Sequence, residues 1–299
     1  MAIFLFLVFN VLLPASTSNA SPMIAIVKSM DNPQYSDSIK GFLEVINKEI
    51  PSNRVKIYDL NEKNIIENIN SKKPSLILTI GTTATLLITD KIKSTPIVFS
   101  MIMAPQESGI TDKKIAGASL DIPIKMQLEK LKDSLPGLNR IGVMYNPAEN
   151  ENIIKEARQK AKDLGLILKS CPVKSVEEVL GIKEFNFDVL WIIPDSVVCQ
   201  PGIIKELLLK SLNQKVPVIG LTQSYVKAGA LMAMQCDYKD NGRQAGEISV
   251  RILKGSNYSD LNICVPRRTK LYLNVAIADR LKIKIPASLI SQAEEVFGK

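Results

Sequence analysis

Residues 76–87 read LILTIGTTATLL. Leu76 to Ile80 is a β-branched and Leu run of the length of one buried strand. Gly81, Thr82 and Thr83 halt it, and the Ala84, Leu86 and Leu87 that follow suit a helix. Two hydroxyls and a glycine at the point where a strand becomes a helix are a ready receptor for an anion or a carbonyl. The first helical N–H groups have no partner within the helix. The same turn also reads as a plain helix cap, because Thr is a common capping residue.

The strand-then-helix unit recurs on both sides of this stretch. Toward the amino end, residues 23–27 and 54–60 are strand signals, each followed by a helical pattern; in the first of these Ile39, Phe42, Leu43 and Ile46 share one face. Residues 95–100 and 114–120 add two more strands. A second series opens at 139–147, with an amphipathic helix that stops at Gly165, and continues with strands at 166–170, 187–195 and 216–222. An extended run at 229–238 and three helical patterns at 240–254, 274–282 and 287–297 complete the chain. Parallel strands linked by helices predict an α/β fold of two doubly wound, Rossmann-like layers. In open parallel sheets ligands sit at the carboxyl ends of the strands, so the turns at 28–33, 81–83, 99–103, 145–150, 194–196 and 220–224 are expected to face one cleft.

Composition narrows the function. With 299 residues, 46% of them hydrophobic and 23% charged, the chain has the material for about two packed domains. Its formal charge is +8, but Lys and Arg are dispersed among Glu and Asp and the only Arg pair is Arg267–Arg268, so no clustered nucleic-acid footprint is expected. Histidine is absent, which removes Ser-His-Asp and Cys-His catalysis and His-based metal sites. Cys171, Cys199, Cys236 and Cys264 have no CxxC spacing, and no metal or cofactor site is expected. There is also no GxGxxG after the first strand, no GxSxG and no P-loop, so an enzyme is disfavoured.

Residues 1–20 carry an apolar run at 2–13 and then small residues, with Ser18 and Ala20 at −3 and −1 of a cleavage site. This reads as a secretory signal that lacks the usual leading Lys or Arg, and the competing reading is a buried amino-terminal strand. Export is the expectation.

From residue 22 onward the chain resembles the solute-binding proteins of ABC transporters, in the tryptophan- and tyrosine-type branch with a type I periplasmic-binding fold. The resemblance rests on IGTTAT (80–85), GASLDIP (117–123), RIGVMYNPAEN (140–150), PDS (194–196), the 229–255 stretch from GALMAMQCDYKD to RILKG, and LYLNVAIADRLKIKIPASLI (271–290). It implies two lobes joined by a three-segment hinge, with lobe one at 22–119 plus 238–262 and lobe two at 120–236 plus 263–299. It further implies an exported, periplasmic or extracytoplasmic monomer that takes a small organic solute, amino-acid-like by family analogy, and hands it to a permease.

The ligand-facing set expected on this basis is Gly81, Thr82, Thr83, Ser100, Met101, Tyr145, Glu149, Asp195, Thr222 and Asp237. The 81–83 turn would meet the ligand's carboxylate. Asp195 or Glu149 would accept its α-amino group, with Asp195 preferred; Glu149 also reads as a residue stabilising the start of its helix through the dipole. Tyr35, Tyr145 and Tyr225 are the candidate aromatic walls, Met101 and Met103 candidate apolar lining, and Trp191 reads as core. Where relatives tend to carry Thr-Asp-Pro after the fourth strand, this chain has MIMAPQES at 101–108, which leaves the ligand's identity open. Cys236 and Cys264 fall near crossings that run side by side in this fold, so either a hinge disulfide or buried thiols is expected. The same two lobes also occur in sensing modules of signalling receptors, which stands as the alternative function.

Overall fold

The computed structural model describes residues 21–110, 115–257 and 261–298. The segment read as a secretory signal lies outside them.

The first sheet is built from β1 (Met23–Lys28), β2 (Arg54–Asp59), β3 (Leu76–Ile80), β4 (Ile97–Ile102), β5 (Ile115–Ser119) and β11 (Ile263–Cys264), in the order β11-β5-β4-β3-β1-β2. Its strand pairs are parallel. β3 and β4 are buried along their whole length, as central strands covered on both faces must be. Between the strands lie α1 (Pro33–Glu49), α2 (Ile65–Ser71) and α3 (Thr82–Lys91). α1 starts where Asn32 accepts a hydrogen bond from the Tyr35 amide at 2.7 Å, with Pro33 in the first helical position.

The second sheet has the order β13-β12-β10-β9-β8-β6-β7. Its strands are β6 (Arg140–Tyr145), β7 (Ile167–Pro172), β8 (Val189–Trp191), β9 (Val218–Gly220), β10 (Met232–Cys236), β12 (Thr269–Asn274) and β13 (Glu295–Phe297). All pairs are parallel except β10 with β12. The helices on this side are α4 (Ile124–Ser134), α5 (Pro147–Asp163), α6 (Val176–Gly181), α7 (Pro201–Asn213), α8 (Gln223–Ala228), α10 (Val275–Leu281) and α11 (Ala287–Gln292).

The last long helix, α9 (Tyr238–Leu253), follows β10 in sequence but packs on α1 of the first lobe. The two helices lie so close that a Cβ added at Gly242 would come within 1.8 Å of the Ser38 carbonyl oxygen, so no larger residue fits there. The chain therefore passes between the sheets three times: after Ser119, after Cys236 and after Cys264. The architecture is the expected α/β pair of Rossmann-like lobes.

Two expectations need correction. Ile263 and Cys264 pair with Gly117 and Ala118, so these two residues belong to the first sheet and not to lobe two. The helical pattern at 287–297 stops at Gln292, and Glu295–Phe297 instead adds an edge strand to β12, where Phe297 packs with Val226, Ala233 and Tyr272. Tertiary pairing overrides local helical preference there. All four cysteines are free thiols. Burial pushes Cys236 up to about 12, so that thiol is protonated at neutral pH. Among the described residues no helix is long and apolar enough to cross a membrane.

Candidate functional site

The turn after β3 is held from beneath. Gly81 has φ +88°, and a Cβ there would lie 2.1 Å from the Tyr35 hydroxyl and 2.9 Å from the Ser29 hydroxyl, so glycine alone fits both the backbone and the space. Its N–H donates to the Ser100 carbonyl at 3.0 Å. Its carbonyl accepts from the Thr85 amide at 3.2 Å and the Thr85 hydroxyl at 2.9 Å. Ser29, at the end of β1, takes over the cap: its hydroxyl donates to the Ile80 carbonyl at 3.0 Å and accepts from the Ala84 amide at 2.9 Å. The Thr82 and Thr83 amides have no acceptor inside α3, and neither hydroxyl is engaged by another described residue. Thr82 is half-buried and Thr83 exposed. Burial raises the Tyr35 phenol above its ordinary range, opposed by a hydrogen bond with Ser29, so it sits beside this turn as a neutral group.

At the next strand end the expected pair divides. Ser100 is fully buried, with its hydroxyl 2.7 Å from that of Ser38 and donating to Asn241 Oδ1 at 2.7 Å. It supports the site from below and does not face a ligand. Met101 is also buried, but it sits at a β-bulge in the left-handed region, φ +62°, with its amide donating to Asn241 Oδ1 at 3.1 Å. Asn241 carried no sequence signal, because it reads as one polar residue in a helical pattern. The flanking Met30 and Met103 are 56% and 41% exposed.

Across the strand ends of the second sheet the acidic residues are engaged by their own chain, Asp195 buried and Glu149 exposed. Asp195 is 5% exposed. Its Oδ2 accepts from the Asn146 amide at 2.6 Å and Asn150 Nδ2 at 2.9 Å, and its Oδ1 from the Val197 and Val198 amides at 2.9 and 3.0 Å. A carboxylate offers about four lone-pair sites, and all are filled. The role of Asp195 as ammonium acceptor is therefore withdrawn: it holds the β8 turn to the start of α5. Glu149 does the same from the other side. It accepts from the Ser196 amide at 3.0 Å, from the Ser196 hydroxyl, and from Asn146 Nδ2 at 2.9 Å. The Ser196 hydrogen bonds hold its carboxyl below the usual range. Tyr145 is core and not wall, buried among Leu131, Ile154 and Trp191 with its hydroxyl donating to Glu151 at 3.1 Å. Trp191 is in the same core, its Nε1 donating to Gln127 at 3.2 Å.

Thr222 and Asp237 remain. Thr222 heads α8 with its carbonyl accepting from the Tyr225 amide at 3.0 Å and its hydroxyl unengaged among the described residues. Asp237, at the second crossing, caps α9: its Oδ1 accepts from the Lys239 and Asp240 amides, both at 3.1 Å. No described residue donates to its Oδ2. What the strand ends offer is thus a donor-rich helix start at 82–83, a hydroxyl at Thr222 and one open carboxylate oxygen at a crossing. No group of residues suited to a metal is present among those described.

Comparison with known proteins bears on this architecture as a whole. The family model described as ABC transporter substrate binding protein matches residues 23–297. The chain belongs to that family. A tyrosine-binding protein of Clostridioides difficile is 24% identical over 276 residues, covering 84% of this chain and 78% of the relative. Among solved structures, a ligand-free, open substrate-binding protein with adhesive properties from Clostridium difficile superposes with a TM-score of 0.76 at 22% identity, covering 93% of this chain and 100% of that one. An ABC domain from Streptococcus pneumonia in complex with L-Trp gives 0.64 at 21% identity, covering 93% and 100%. The fold is that of type I periplasmic-binding proteins, and as a substrate-binding protein the chain is not an enzyme.

Proposed function

We propose that this substrate-binding protein is the extracytoplasmic component of an ABC importer, closing its lobes as a monomer on an amino-acid-like solute and delivering it to a permease. The observation that carries the ligand class is the pairing of opposite polarities at the strand ends. Thr82 and Thr83 present helix-start amides and two unengaged hydroxyls, the chemistry that receives a carboxylate. Asp237 keeps one oxygen open, the chemistry that receives an ammonium. A zwitterion answers both. The named relatives, one a tyrosine-binding protein and one found with L-Trp, support an aromatic amino acid first. Gly81 shapes the turn that presents the two threonines, and Thr222 serves by its hydroxyl.

The test is thermal stability and calorimetry of residues 21–299 against L-tyrosine, L-tryptophan, L-leucine and ribose. A ligand at 100 times its dissociation constant adds about 2.7 kcal/mol to the folded state. Binding of an amino acid that is lost in Thr82→Val and in Asp237→Asn supports the reading. Binding of ribose alone, or of amino acids with both variants unaffected, overturns it.

A further inference from the structure

The segment 101–104, at the bulged carboxyl end of β4 beside the Gly81 turn, carries two non-glycine residues in the left-handed region: Met101 at φ +62° and Ala104 at φ +44°. An L-residue adopts that region at a cost, so something must hold it there. In both cases the holder is a side chain from the hinge. The Met101 amide donates to Asn241 Oδ1 at 3.1 Å. The Ala104 amide donates to both oxygens of Asp121, at 2.8 and 3.1 Å.

These two acceptors stand where the chain changes lobes. Asp121 is in the first crossing itself, its amide donating to the Ser119 hydroxyl at 3.2 Å. Asn241 lies one turn past the second crossing, its amide donating to the Asp237 carbonyl at 2.8 Å. The side-chain Nδ2 of Asn241 donates to the Ser119 carbonyl at 2.7 Å, the last residue before the first crossing. Leu120 completes the tie, donating its amide to the Ile102 carbonyl at 2.7 Å. Asn241 is 1% exposed, so each of its bonds is made in a dry interior, where leaving a partner unpaired is costly.

We propose that Asn241 and Asp121 are positioning residues that couple the strained 101–104 turn to the first two hinge crossings, so that the turn keeps its shape only while the crossings keep theirs. Bending the hinge moves Asp121 and the Ser119 carbonyl, and with them the support of Ala104 and Met101. The turn then reads the state of the hinge, and the hinge reads whatever presses on the turn. The consequence for affinity rests on the ligand site proposed above; the coupling itself does not.

Two variants cut different links. Asn241→Asp keeps an acceptor for the Met101 amide but replaces the donor to Ser119 with an oxygen. Asp121→Ala removes the acceptor for Ala104. Ser38→Ala is the control, since Ser38 meets the same network only through Ser100. Amide hydrogen exchange of the unliganded protein is read by NMR at Met101 and Ala104, in variants that melt cooperatively. Coupling predicts crosswise effects: faster exchange at Ala104 in Asn241→Asp and at Met101 in Asp121→Ala, with Ser38→Ala leaving Ala104 unchanged. Effects confined to each residue's own partner overturn the proposal; if one variant does not fold, the other decides alone. With L-tyrosine or L-tryptophan as probe, both variants are expected to bind roughly 3- to 30-fold more weakly, and affinities equal to wild type would overturn the link to binding. A wild-type protein that binds neither probe would count against the proposed function and leave the exchange result standing.

Discussion

Asp195 is the residue at which sequence and structure part most sharply. An acidic side chain at a strand end looks like a ligand contact, yet its four acceptor sites are spent on the Asn146, Val197 and Val198 amides and the Asn150 side chain. Replacing it by Ala leaves the Asn146, Val197 and Val198 amides without their acceptor, while Asn150 Nδ2 keeps the Pro194 carbonyl. Asp195→Ala is therefore expected to lower stability by about 2–4 kcal/mol, the range of a lost buried charge-assisted network. Urea denaturation measures this, and a variant of unchanged stability would return Asp195 to the list of ligand contacts. Gly81 is a different case, a glycine required by its backbone angle and by the hydroxyls of Tyr35 and Ser29. Gly81→Ala forces an L-residue to φ +88° and sets a methyl against the Tyr35 hydroxyl, so a cost of about 1–3 kcal/mol is expected. The double variant with Tyr35→Ala should regain the steric part only. Full recovery would mean that the backbone angle carries no penalty.

At the scale of elements, the third crossing is tied to α9 by one guanidinium. Arg267 donates Nε and Nη2 to Asp240 at 3.0 and 3.1 Å, and Nη1 and Nη2 to Glu247 at 2.9 and 2.8 Å. Glu247 is exposed, so that half of the clamp contributes little. Asp240 is buried, and stranding its charge is the larger loss. Arg267→Ala should destabilise by about 1–3 kcal/mol and Arg267→Lys by nearly as much, because a lysine does not reproduce a fork shared by two carboxylates. Differential melting of the two variants checks this. Glu149 joins two elements of the other lobe, and its carboxyl is held below the ordinary value of 4.5 by the Ser196 hydrogen bonds. A depressed folded-state value contributes stability above the unfolded value, lost as pH falls through the folded one. Glu149→Gln should flatten the stability curve below about pH 4.5, and an acid limb as steep as wild type would show that the contact is spent elsewhere. The elements themselves were legible in sequence wherever a short run of β-branched residues and leucine met a turn, as at 76–80 and 140–145. What escaped was set by pairing at a distance. Nothing local in Glu-Val-Phe at 295–297 announces a strand, because β12 supplies its hydrogen bonds. Nothing in Asn241 distinguishes a buried acceptor from a solvated one until α9 is laid on α1 and β4. Thr82 and Thr83 read correctly as a helix start, since that depends only on neighbours in the chain.

Over the whole molecule, the cores are separate. One lobe packs Ile24, Phe42, Leu78 and Val98 with α9, and Val27, Tyr58 and Ile77 on the opposite face. The other packs Leu128, Ile154 and Trp191 on one face and Phe185, Leu190 and Leu207 on the other. Among the described residues no buried apolar cluster spans both sheets, and three crossings are what joins them. Cooperative unfolding needs shared buried surface, so each lobe is free to lose its core without dragging the other. A ligand bridging the Thr82–Thr83 turn of the first lobe and Thr222 of the second would add contacts that exist only when both lobes are folded. Calorimetry should then find a van't Hoff enthalpy well below the calorimetric enthalpy for the free protein. The two should converge as a tight ligand is added, while the midpoint rises by mass action. Equal enthalpies in the free protein would show that the crossings alone, through Asn241, Asp121 and Arg267, already couple the lobes into one folding unit.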